Sequence, residues 1–149
     1  MKTKIGLGIS GTVRLIGSNY NKDGILEQVL DRTVHNLITY DGFDLIMDCL
    51  GHATQPDDIS HMAIGTGEAQ DINDTALTSE DQREATVYAH TPGELTCTFT
   101  TTFTTVVAAT NYALFNAAVA GDMFNTASFG AITVDSLVIV ATLTMSDTG

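Results

Sequence analysis

Four histidines, a scatter of serines and an oxygen-rich acidic stretch are the residues here whose types could carry chemistry. His35, His52, His61 and His90 could ligate a metal or shuttle protons. No two of them are four residues apart, and none stands beside a cysteine at zinc spacing, so they read as turn and surface histidines. Asp71, Asn73, Asp74, Glu80 and Asp81 offer the oxygen ligands that calcium prefers. The EF-hand spacing fails, because no glycine stands sixth from Asp71, and the stretch reads as a solvated acidic loop. Gly65-Thr66-Gly67 lacks the later glycine and the Lys-Ser/Thr pair of a phosphate loop, and serves better as a tight turn. No serine sits in a Gly-x-Ser-x-Gly elbow. The expectation is therefore no catalytic residue, no metal and no cofactor.

The elements that would position any site are mostly strands. Thr12–Ile16 is a short strand between Gly11 and Gly17, and Asn19–Gly24 carries the Asp-Gly signal of a hairpin. Residues 25–38 fit either period: Leu26, Leu30 and Val34 suit a helix face or one face of a strand, and the preceding turn tips the reading to strand. A helix is expected over about residues 42–50. Phe43, Ile46, Met47 and Leu50 form its apolar stripe, Thr39 or Asp41 its cap, and Gly51 its end. His61–Ile64 is a strand. Residues 68–82 are a polar connection with one helical turn near 76–81.

From Ala85 onward the chain reads as β. Leu95, Cys97, Phe99, Phe103 and Val107 point one way, and Thr96, Thr98, Thr100, Thr102 and Thr104 the other, onto a solvated face. Phe124–Val134 is a strand, Asp135-Ser136 a turn, and Leu137 to Met145 a last strand, central or doubly covered. Short strands with turn signals and one embedded helix predict a mainly β chain: a two-sheet β-sandwich, of jelly-roll type among the options. Residues 1–10 form an N-terminal arm or first strand, and residues 11–149 a single sandwich domain.

Composition narrows the function classes. The chain has 149 residues, 44% of them hydrophobic, so one domain with its own core is expected. Net charge is −12, from 18 acidic and 6 basic residues. Nucleic acid and anionic membranes are poor partners for such a surface. No window nears the roughly 20 apolar residues of a membrane span. The apolar run Ile5–Ile9 is too short and glycine-rich for a signal peptide. Cys49 and Cys97 fix no disulfide framework; both read as small core residues of a protein folded in a reducing cytoplasm.

One ordered set of motifs stands above composition. Asn36-Leu37-Ile38-Thr39-Tyr40-Asp41-Gly42 leads into the helix, and Ala63-Ile64-Gly65-Thr66-Gly67 ends a strand. Asp74-Thr75-Ala76-Leu77 with Glu80 and then Ala113-Leu114-Phe115-Asn116-Ala117 follow. This order, over roughly residues 11–145, resembles a group of small structural proteins of tailed-bacteriophage particles. Ala113 departs from that group's glycine, and Asn111 or Tyr112 stands where the group carries an acidic residue. The resemblance implies a non-enzymatic virion protein, assembled in the host cytoplasm. It would decorate the outer head as a homo-oligomer, a trimer, and cement the major capsid protein. A tail, collar or baseplate role is the alternative, and a small carbohydrate-binding module the third.

On this reading Lys2, Lys4, Ile5, Leu7 and Ile9 form an arm that contacts the capsid or a neighbouring subunit. Gly42 sets the start of the helix. Gly65 and Gly67 supply positive φ at a strand end. Leu77 and Phe115 plug the ends of the sandwich, and Phe99 and Phe103 fill its core.

Overall fold

A computed structural model of the protein describes residues 7–147. The order is β1 (Leu7–Tyr20), β2 (Leu26–His35), β3 (Leu37–Ile38), α1 (Tyr40–Gly51), β4 (His61–Gly65), β5 (Glu80–Ala85), β6 (Val87–His90), β7 (Thr96–Phe115) and β8 (Met123–Asp147). The chain is mainly β with one helix, as its periodicities predict. Residues 25–38 resolve to strand: β2 pairs with β1 from Tyr20↔Leu26 to Thr12↔His35, across a turn closed by Gly24 at φ 76°.

The described strands join in one antiparallel sheet of eight strands, so a division into two sheets is not confirmed. The sheet is continuous because β7 and β8 are long, at 20 and 25 residues. In the first half of the sheet, β7 from Thr96 to Thr104 pairs with β8 from Ser136 to Thr144. There β8 also carries β1 and then β2, while β7 carries β6. In the second half, β7 from Asn111 to Phe115 pairs with β8 from Met123 to Ser128. There β7 carries β4 and then β5, while β8 carries β3. Between the halves the register shifts twice, and Thr105 and Ala108 take φ of 51° and 52°. Such bulges bend a strand sharply. Phe103, Leu15 and Leu137 of the first half share one buried cluster with Tyr112, Met62 and Ile64 of the second. One folded sheet thus builds the core that two separate sheets would have shared.

No turn forms at Asp135-Ser136; β8 runs straight through. Asp135 ties to the β1 end instead, donating its N–H to Asn19 Oδ1 at 2.9 Å and accepting from the Tyr20 N–H at 2.9 Å. Nor is there a helical turn at 76–81, where turns lead directly into β5. Residues 7–10 belong to β1 and pair with β8, from Leu7↔Asp147 to Ser10↔Thr144. Of the ten residues expected as an arm or first strand, residues 7–10 are strand, and residues 1–6 lie outside the described residues.

The helix lies on β8. Thr39 caps it, its Oγ1 accepting from the Gly42 N–H at 3.0 Å and donating to the Met123 carbonyl. A side chain at Gly42 would place its Cβ 2.0 Å from the Phe124 carbonyl oxygen, so only glycine lets the helix approach this closely. The buried helical residues are Gly42 and Leu45. This corrects the expected stripe: Phe43, Met47 and Leu50 are 43%, 65% and 78% exposed.

Candidate docking surface

Two apolar features stand out once the helix is seated. The first is its outward face. Tyr40, Phe43, Met47 and Leu50 recur every three or four residues, which aligns them along one side of a helix. All four are at least 43% exposed. Asp41, Asp44 and Asp48 flank them, and the last turn carries no basic residue.

The second feature is a groove between α1 and the β6–β7 hairpin. It has two lobes, of about 410 and 400 Å³, which share Ile46, Tyr88 and Phe124. Leu45, Cys49, Pro56 and Ile59 extend the first lobe, and Ile9, Leu95, Leu143 and Met145 the second. Among the described residues its lining includes the carboxylates Asp57, Asp58 and Glu94, together with His90. The walls form because the odd-numbered residues of β1, of β7 up to Phe103 and of β8 from Leu137 face inward, and at this end of the sheet the core runs out before the strands do. Ile9, Cys97 and Leu143 are half-buried, and Leu95 and Met145 are exposed.

Both cysteines line this groove. Cys49 is exposed, which corrects its expected place in the core: the buried side of α1 turns on Gly42 and Leu45. Cys97 is half-buried, and burial pushes its thiol pKa up. Both are free thiols.

The other sequence-identified residues are placed as follows. Phe99 and Phe103 are buried, 5% and 0% exposed, as their strand face predicts. Gly65 and Gly67 do not have positive φ. Their role is close packing: added Cβ atoms would lie 2.5 Å from Asn111 Oδ1 and 2.4 Å from the Thr78 carbonyl. Leu77 and Phe115 join Ala63, Ala113 and Met123 in a second buried cluster. That cluster covers the sheet face opposite Tyr112 and Leu114, so these residues close a face rather than an end. Arg83 stacks 3.7 Å over the Phe115 ring and holds Glu80. Ile9 sits in the groove; Lys2, Lys4 and Ile5 lie outside the described residues.

No group of three or more His, Cys, Asp or Glu side chains among the described residues could hold a metal ion. The acidic loop is knitted by its own bonds, Asp74 Oδ2 accepting from the Asp71 N–H at 2.7 Å and Asp71 Oδ1 from the Asn73 N–H at 2.7 Å. No described helix is long and apolar enough to cross a membrane. Searches of family descriptions, curated proteins and solved structures match nothing to this chain.

Sequence reasoning missed the groove, because its lining comes from elements far apart in the chain and leaves no periodic signal. It found the helix stripe but assigned it to the wrong side.

Proposed function

We propose that this protein is a non-enzymatic structural component of a tailed-bacteriophage particle, held by contacts of its apolar helix face. It decorates the outer head surface as a homo-oligomer, a trimer, and cements neighbouring copies of the major capsid protein. The observation that carries this reading is the outward stripe Tyr40, Phe43, Met47 and Leu50, a helix face left without a partner among the described residues. Exposed contiguous apolar surface marks interaction sites. The ordered motifs from Asn36 to Ala117 supply the phage assignment, and the charge of −12 keeps crowded copies soluble.

The test replaces two exposed stripe residues together, Met47→Asp and Leu50→Asp. The variant should keep its melting temperature, because neither side chain is buried, and should lose its oligomer in sedimentation and its incorporation into particles. Unchanged assembly and incorporation would refute the reading. Copy number in purified particles separates the two virion roles: a level like that of the major capsid protein supports head decoration, and a level like that of tail parts replaces it with a tail or collar role.

A further inference from the structure

The groove between α1 and the β6–β7 hairpin shares no lining residue with the outward stripe, and its shape and charge specify what fits it. Its floor continues a sheet face. Tyr88 and His90 of β6 lie opposite Phe99 and Cys97 of β7, and all four line the groove. Among the described strands β6 pairs only with β7, and its four residues are all exposed. A strand edge of this kind offers N–H and C=O groups to an extended segment. A segment added along it would turn every second side chain onto the same face as Tyr88 and His90.

Charge decides what sort of segment fits. Asp57 and Asp58 stand in the first lobe and Glu94 in the second, and all three are exposed. Their complement is an apolar segment with a lysine or arginine near each end. The described residues of a second copy supply little of that. Arg14 pairs with Asp31, Arg83 pairs with Glu80, Arg32 donates to the Gly130 carbonyl, and Lys22 lies in the β1–β2 turn.

We propose that this groove binds an extended segment of a different protein, which adds as a strand along β6. Its alternate apolar side chains rest on Ile46, Tyr88 and Phe124, and its basic side chains meet Asp57, Asp58 and Glu94. This contact is separate from the helix stripe, so it stands or falls apart from the virion reading.

The test selects a random-sequence peptide library against the full chain. Enriched peptides should alternate apolar residues and carry lysine or arginine near both ends. Once synthesised, they should slow N-ethylmaleimide addition at both Cys49 and Cys97, which line the two lobes. Methylating one alternate set of their backbone amides should abolish binding and methylating the other should not, because only one set faces β6. The triple variant Asp57→Asn, Asp58→Asn, Glu94→Gln should keep its melting temperature, since all three side chains are exposed. It should bind the peptides roughly ten-fold more weakly, the loss expected for three exposed ion pairs. No enrichment, enriched peptides without basic residues, unchanged thiol rates on binding, or equal effects of the two methylated sets would each overturn the proposal. Thiol protection that grows with protein concentration in the absence of peptide would also overturn it, in favour of a second copy as the occupant.

Discussion

Alanine at Gly42 sets two opposing effects against each other. In a helix interior, Gly→Ala gains about 0.5–1 kcal/mol from backbone entropy. Here the added Cβ would stand 2.0 Å from the Phe124 carbonyl oxygen and 2.9 Å from its carbon. Ordinary contacts of this kind are no closer than about 3.4 Å, so α1 must retreat from β8 by more than an ångström. That movement breaks the Thr39 cap, whose Oγ1 bridges the Gly42 N–H and the β8 carbonyl of Met123. Overpacking costs about 1–3 kcal/mol and a lost cap about 1 kcal/mol more. Sterics therefore win, by about 2 kcal/mol net, which for a domain of this size lowers Tm by roughly 4–8 °C. Gly51→Ala is the internal control, since a Cβ there meets nothing within 4 Å. It should leave stability unchanged or raise it by up to about 1 kcal/mol. Urea denaturation of both variants decides the matter. If Gly42→Ala is as stable as Gly51→Ala, the close seating of α1 on β8 is wrong.

Phe103→Ala removes a fully buried ring and should cost about 3–5 kcal/mol in urea unfolding; a loss under 1 kcal/mol would mean that the strand face is reversed. Thr101 is 4% exposed and its Oγ1 has no hydrogen-bond partner among the described residues, so the near-isosteric Thr101→Val should stabilise by about 1 kcal/mol in the same assay. Burial raises the Tyr112 phenol far above its ordinary pKa, and the phenol donates to Asn125 Oδ1 at 2.9 Å. A raised folded pKa on an acid gives stability that is whole below the unfolded tyrosine pKa of about 10 and falls as pH rises beyond it. The tyrosinate absorbance lost in Tyr112→Phe should therefore appear only together with alkaline unfolding, and its appearance in folded protein would contradict the burial.

Local pattern was legible wherever one period acted alone. Phe99 and Phe103 alternate with threonines and are buried as that alternation predicts, but the pattern stops beyond Thr105, where Val106 is buried and Val107 exposed, and Leu95 is exposed at the other end. The β2 hairpin follows from Asp23-Gly24, and β4 from its apolar run. Connectivity between halves was not legible, because Asp135-Ser136 has the composition of a turn. Whether such a pair bends or continues depends on a distant partner, here Asn19 and Tyr20 on β1. Gly65 and Gly67 show the same limit: sequence shows that a side chain is excluded there, while the reason, crowding by Thr78 and Asn111, lies 11 or more residues away.

The misplaced helix stripe is the most informative of these differences. Periodicity marks a face that must leave water; it does not say which molecule covers it. Alpha1 has apolar residues on two sides, and β8 satisfies the side with Gly42 and Leu45, where the backbone can approach. The opposite side is left with four large side chains at 43–78% exposure. Completing their burial is worth about 5 kcal/mol in all, at roughly 1.5–3 kcal/mol per fully buried side chain. Association costs about 4–15 kcal/mol before any contact is credited. One stripe therefore supports only a weak contact for a single copy. It becomes sufficient when copies are joined, because later contacts then form at high effective concentration. A face of this size on a small acidic domain is suited to a repeated, symmetric assembly and poorly suited to a lone, tight partner.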